Sequence, residues 1–170
     1  MKLQVEQLKE QMGKKFPFHF SFPAEELGDV AAFPWSHHDI TTNGEYWYDG
    51  VAIQLHGSVH RQGTYACMRC LAPVEKQLET KFEEVYRIGR SGDADEDDDT
   101  SVYVDGDVID IGDLIRETLI INEPYQVLCQ EDCKGLCVHC GANLNESQCS
   151  CDSFEVDPRF AGLLNLFEKK

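Results

Sequence analysis

No stretch of this chain approaches the roughly 18 uninterrupted apolar residues that a membrane-crossing helix needs. Its opening, Met1-Lys2-Leu3-Gln4-Val5-Glu6-Gln7-Leu8, has no apolar segment of the kind a secretory leader carries. Together these absences predict a cytoplasmic chain that is neither inserted into a membrane nor exported by the standard route. Basic residues are scarce as well: 15 Lys and Arg stand against 31 Asp and Glu, for a formal charge of −16. Protein affinity for nucleic acid comes largely from Lys and Arg neutralising phosphates, so such a surface repels RNA. It favours a basic protein partner and steers encounter with one. Apolar side chains are not lacking, at 42% of 170 residues, which excludes a disordered chain and suffices for a hydrophobic core. Nor is cysteine: there are eight. In a secreted protein eight would read as four disulfides; in a reducing compartment they read as metal ligands or reactive thiols.

The pattern along the chain predicts an α+β fold, an antiparallel β-sheet meander with a few short helices and a zinc-stapled C-terminal module. After a short strand-like start, Leu8 and Met12 are at helical spacing. Phe16, Phe18, Phe20 and Phe22 alternate with Pro17, His19 and Ser21 at the period of two that marks a half-buried strand, and Pro17 places it at a sheet edge. Residues 23–44 read as irregular, with Asn43 and Gly44 among the breakers. Tyr46-Trp47-Tyr48, a turn at Asp49-Gly50, then Val51, Ile53, Leu55 and Val59 read as a hairpin. Gln62-Gly63 reads as a further turn, and residues 74–88 as a long strand. Residues 91–100 hold no apolar side chain larger than Ala94 and read as a solvated acidic loop; from Glu83 to Glu117 there are 13 acidic and 3 basic residues. Val102 to Val104 and Val108 to Ile109 read as short strands. Asp110 precedes a helix whose apolar face is Ile111, Leu114, Ile115, Thr118 and Leu119. The expected division is a sheet domain at 1–124 and a cysteine-rich module at 125–170, whose terminal helix starts at Asp157-Pro158.

Residues 125–152 hold six cysteines and too few large apolar groups for a core, a shortage that a metal can replace. Cys137-Val138-His139-Cys140-Gly141 has the form of a zinc knuckle: two thiolates grip one ion in a tight turn, and the glycine lets the chain fold back. Structural zinc takes four ligands in a tetrahedron. Cys149 and Cys151 are the nearest second pair. Cys67, Cys70, Cys129 and Cys133 then form a second four-thiolate set, giving two structural Zn(2+) ions per chain. A rival partition, Cys133, Cys137 and Cys140 with Cys149 or Cys151, stays open on spacing alone. A redox dithiol requires activation at a helix N-terminus, and Cys67 instead follows a strand. Zinc hydrolysis requires three ligands with a carboxylate base nearby, and none is evident. The expectation is therefore a protein that is not an enzyme, with a thiol redox or zinc-dependent enzyme as an alternative.

These residues carry a resemblance. Cys67-Met68-Arg69-Cys70-Leu71, Ile109-Asp110, the run Cys129-Gln130-Glu131-Asp132-Cys133-Lys134-Gly135-Leu136-Cys137, Cys140-Gly141-Ala142-Asn143-Leu144-Asn145, Cys149-Ser150-Cys151 and Asp157-Pro158-Arg159-Phe160 together resemble the YceD family of bacteria and plastids, described as large ribosomal RNA subunit accumulation proteins. The resemblance covers most of the chain. It implies an accessory role in large ribosomal subunit biogenesis, exerted on the pre-ribosomal particle through a ribosomal protein or assembly factor. Because the family's gene in many bacteria lies beside one for a small large-subunit ribosomal protein, it implies a basic ribosomal protein as client of the acidic surface. Some members lack the last four cysteines but retain the first pair and a Cys or His near 129 and 133, which implies two separable sites. Val138 stands where members often have proline, and residues 122–126 are more polar than is usual. An alternative function is direct ribosomal-RNA binding through Lys134, His139 and Lys169-Lys170.

Overall fold

A computed structural model describes residues 1–89, 102–104 and 106–151. The expected acidic loop at 91–100 and the expected terminal helix lie outside the described residues. Two compact units are present: Met1–Tyr65 with Glu75–Tyr125, and Ala66–Val74 with Gln126–Lys170.

The first unit is built of strands β1 (Lys2–Gln4), β2 (Phe16–Pro23), β3 (Asp39–Tyr48), β4 (Ala52–Ala66), β5 (Pro73–Ile88), β6 (Val102–Val104) and β7 (Val108–Asp110), with helices α1 (Glu6–Glu10) and α2 (Gly112–Ile121). Strands β4 and β5 run to the boundary of the unit. A five-stranded sheet has the order β2-β3-β4-β5-β6, and β1 pairs with β7 in a second, two-stranded sheet. The large sheet is antiparallel from β2 through β4, in register from Phe16 opposite Tyr46 to Pro23 opposite Asp39. Strand β6 joins β5 in parallel, so the sheet is mixed. Pro17 is tolerated because β2 is an edge strand, where one row of N–H groups has no ladder to complete. At the expected hairpin the Asp49 carboxylate accepts from the backbone N–H of Val51 and of Ala52, both at 2.8 Å.

Two expected breakers lie inside strands. Gly44 sits in β3, and a Cβ there would come within 2.7 Å of the Phe18 ring and within 2.6 Å of Gly57. The missing side chains at Gly44 and Gly57 open a slot for the aromatic rings of Phe18 and Phe82. Gln62-Gly63 does not turn; β4 continues through it. Gly63 serves a close approach, since its Cβ would lie 3.1 Å from the Pro34 carbonyl.

One apolar core unites this unit. Phe18, Phe22, Ile40, Ile53, Leu55, Val59 and Phe82 supply it from the sheet, and Ile111, Ile115 and Leu119 supply it from the predicted face of α2. Burial of these side chains is the main stabilising force, each contributing roughly 1.5–3 kcal/mol. Arg61 is buried beside the core. Its Nη1 donates to Leu119 O at 3.0 Å and its Nη2 to Asn122 O at 2.8 Å, so it satisfies carbonyls at the end of α2. Glu123, at 3.6 Å, balances its charge and also accepts from Trp35 Nε1. No helix among the described residues is long and apolar enough to cross a membrane.

Candidate metal centres

The second unit has a different interior. Among the described residues, its buried cluster is Cys67, Cys70 and Cys133, with Ala72, Val74, Leu128 and Leu136 packed against it. The connection between β4 and β5 brings the first two cysteines; the segment after α2 brings the others. A backbone bond from Met68 N–H to Val127 O, 2.9 Å, ties the two stretches, and Leu136 N–H donates to Arg69 O at 3.1 Å. Arg69 Nη1 donates to Cys133 O at 2.8 Å, so a cationic side chain secures the same junction.

All eight cysteines fall into two tetrads. Cys67, Cys70, Cys129 and Cys133 have their sulfurs within 4.8 Å of one another, as do Cys137, Cys140, Cys149 and Cys151. Cys133 thus groups with the distant pair, and the rival partition is not the one the fold assembles. All eight are free thiols. Sulfurs bound tetrahedrally at ~2.3 Å to one ion lie ~3.8 Å apart, whereas a disulfide would bring them to ~2.05 Å. Cys67 and Cys133 are separated by 3.8 Å, and Cys70 and Cys129 by 3.5 Å. The donor set, the count and the spacing fit a divalent, thiophilic ion in each tetrad.

The two C-x-x-C turns repeat one backbone design. Cys67 N–H donates to Ala72 O at 2.8 Å, and Leu71 N–H to Cys67 O at 2.9 Å. In the second turn Cys137 N–H donates to Ala142 O at 2.8 Å, and Gly141 N–H to Cys137 O at 2.9 Å. The residue after the second cysteine is left-handed in both, with φ 61 at Leu71 and φ 72 at Gly141. Glycine adopts that conformation freely and leucine under strain. Each turn also lifts an exposed apolar side chain after its first cysteine, Met68 in one and Val138 in the other.

Electrostatics explain why the tetrads call for a cation. Backbone N–H groups, that of Cys70 foremost, hold the Cys67 thiol down to about 6 against the opposing effect of burial. Those of Cys140 and His139 hold Cys137 down to about 6. The neighbouring sulfurs do the reverse to one thiol of each set. Cys133 and Cys70 push Cys129 up to about 12, and Cys140 pushes Cys151 up to about 12. Four thiolates this close cannot all ionise alone, and a bound divalent ion removes the conflict. Metal binding then releases protons and favours the folded arrangement.

Contacts beyond the sulfurs were not evident from the sequence. Asn145 Nδ2 donates to Cys133 Sγ at 3.3 Å, while its Oδ1 accepts from Lys134 N–H at 2.8 Å. The turn repeat had a visible trace in the matching strings Cys67-x-x-Cys70-x-Ala72 and Cys137-x-x-Cys140-x-Ala142; the role of Asn145 had none. His139 is exposed and belongs to neither tetrad.

Comparison with known proteins follows the same residues. A family model described as large ribosomal RNA subunit accumulation protein YceD matches residues 55–167, a span that includes both tetrads. An uncharacterized protein of Mycobacterium tuberculosis, Rv2926c, is 28% identical over 130 residues, covering 75% of this chain and 61% of that protein. The match thus spans about three fifths of the length of this relative. The Arabidopsis thaliana protein named large ribosomal RNA subunit accumulation protein YCED homolog 1, chloroplastic, is 39% identical over 61 residues, covering 36% of this chain and 19% of that protein. YlbN of Bacillus subtilis, also uncharacterized, is 24% identical over 170 residues and aligns end to end, at 99% of this chain and 98% of its own. No solved structure matches the chain.

Proposed function

The chain belongs to the YceD family, and from that premise we propose that it is a non-enzymatic accessory factor in large ribosomal subunit biogenesis that promotes accumulation of the large-subunit ribosomal RNA. The observation that carries this reading is the family match over residues 55–167, joined by chloroplast relatives named for the same process. In this reading the protein works in the cytoplasm and contacts a basic ribosomal protein or assembly factor. Its −16 charge shields that client's cationic surface until delivery and speeds their encounter. RNA contact is indirect. Basic residues are few in the second unit, and the Arg69 guanidinium, though charged, is held against the carbonyls of Cys133 and Glu131.

Each tetrad holds one structural Zn(2+), with Cys67, Cys70, Cys129 and Cys133 as one ligand set and Cys137, Cys140, Cys149 and Cys151 as the other. Four thiolates leave no open coordination position for a substrate or an activated water, which supports a structural role over hydrolysis. Among the described residues Cys67 follows β4 in a tight turn and does not begin a helix, the setting that would activate a redox dithiol.

The test is affinity capture from lysate at low and high salt, with ribosomal proteins and assembly factors as the readout. Recovery of a basic large-subunit protein that fades as salt rises is the expected result. Capture of neither class, or salt-dependent binding of a purified large-subunit RNA fragment in its place, overturns it.

A further inference from the structure

The two tetrads share a turn design but not an environment. Three thiols of the first, Cys67, Cys70 and Cys133, are at most 7% exposed and are packed by apolar side chains. In the second only Cys137 is buried; Cys140 is exposed, and Cys149 and Cys151 are half-buried. An open cleft of about 590 Å³ also reaches Cys137, Cys149 and Cys151, with Ser147, Gln148 and Lys134 on its walls. A thiolate-bound ion leaves by ligand substitution, and the incoming ligand must reach the metal. The cleft gives it that access along three ligands of the second tetrad, whereas at the first only Cys129 is exposed and apolar packing closes off the other three.

Asn145 connects the two. It lies in the loop between Cys140 and Cys149, so an ion in the second tetrad closes that loop. Yet its side chain serves the first tetrad. Nδ2 donates to Cys133 Sγ at 3.3 Å and to Asn143 Oδ1 at 2.9 Å; Oδ1 accepts from Lys134 N–H at 2.8 Å and from Gln130 Nε2 at 3.2 Å. The loop is pinned further by Leu144 N–H to Gly135 O, 2.9 Å. An N–H donor at a ligating sulfur stabilises the thiolate and fixes its direction, and outer partners of this kind change metal affinity by ~10–100-fold.

We propose that the Cys137–Cys140–Cys149–Cys151 site is an exchangeable metal site, that the Cys67–Cys70–Cys129–Cys133 site is a retentive one, and that Asn145 is the positioning residue through which occupancy of the first-named strengthens the second. The inference rests on the reading that both tetrads hold ions. It makes the protein responsive to metal supply: in scarcity the cleft-side ion leaves, the loop at 141–148 loses its tether, and the buried ion is held less firmly. Coupling of this kind is reciprocal, so the buried ion also favours binding at the cleft.

Native mass spectrometry of the zinc-loaded full chain, during a time course with EDTA, tests it. Two ions at the start and two phases of loss are expected, one phase faster on the order of tenfold. Cys140→Ser is expected to remove the fast phase and to accelerate the slow one. Asn145→Asp keeps the oxygen that accepts from Lys134 N–H but replaces the donor to sulfur with a carboxylate, so it is expected to speed the slow phase by about tenfold. Cobalt substitution in the Cys140→Ser background, which isolates the buried site, adds a spectroscopic readout: Asn145→Asp shifts the sulfur-to-cobalt charge-transfer band only if the amide acts on the sulfur. Loss of both ions at one rate, a fast phase that survives Cys140→Ser, or an unchanged slow phase and unshifted band in Asn145→Asp each overturn the proposal. A chain that carries no ion at the outset defeats instead the reading of the tetrads on which it rests.

Discussion

The two units solve the same problem with different materials. The first buries aromatic and branched side chains between its sheet and α2. Among the described residues of the second, few apolar side chains are packed together and the buried cluster is sulfur. The difference teaches where each unit is vulnerable. A packed core loses stability in steps as side chains are trimmed, whereas a unit organised by thiolate-bound ions, as proposed for the second, loses its organisation when the ions leave.

The sharpest way to break this comparison is to remove metal. Zinc binding in small folds contributes roughly 10–16 kcal/mol in apparent terms, so chelation is expected to abolish amide-exchange protection at 66–74 and 126–151 while leaving β2–β5 protected. Uniform protection, or uniform loss, would remove the distinction between the units. Acid should act in the same place. The Cys67 and Cys137 thiols are lowered from 9.0 to about 6. Their contribution is therefore complete above the ordinary value and is lost as pH falls through about 6. In the metal-free chain, ultraviolet thiolate absorbance is expected to fall as pH drops through that value, with the loss removed by Cys67→Ser and Cys137→Ser together.

Smaller perturbations sharpen the contrast from the other side. Arg61→Ala leaves the carbonyls of Leu119 and Asn122 without their partner and Glu123 with Trp35 alone, and is expected to destabilise the first unit by about 3–5 kcal/mol. Leu55→Ala opens a void in the core and should cost about 2–5 kcal/mol. Denaturant melts read both, and neither variant should alter the number of bound ions. The knuckles give the finest comparison. Gly141→Leu forces a branched side chain into φ 72 and should weaken the second unit by about 1–2 kcal/mol. Leu71→Gly relieves the same strain but frees the unfolded chain, so it should stabilise by less than about 1 kcal/mol. If the signs were the same at both sites, the turns would not be equivalent.

How much was legible followed from the range of each signal. The alternation from Phe16 to Phe22, the Asp49-Gly50 hairpin and the helical face of Ile111, Ile115 and Leu119 are written in neighbouring residues and appear where they were expected. Gly44 and Gly63 read as breakers because glycine's local meaning is a turn. Their actual use, to admit the Phe18 ring and the Pro34 carbonyl, depends on partners far away in sequence. The cysteine spacing announced two pairs of knuckle ligands. Which pair joins which, the left-handed Leu71 and the reach of Asn145 to Cys133 exist only once the chain has folded back on itself.

One feature of the chain's connectivity bears on the order of its making. Cys67 and Cys70 emerge from the ribosome some sixty residues before Cys129 and Cys133, and domains form as units during synthesis, N-terminal first. The early pair can hold only half of a coordination shell while β5 and α2 are still being made. On the reading that this tetrad holds an ion, a full four-sulfur shell forms only after β5 and α2 have been synthesised, so metal capture there marks the completion of those elements.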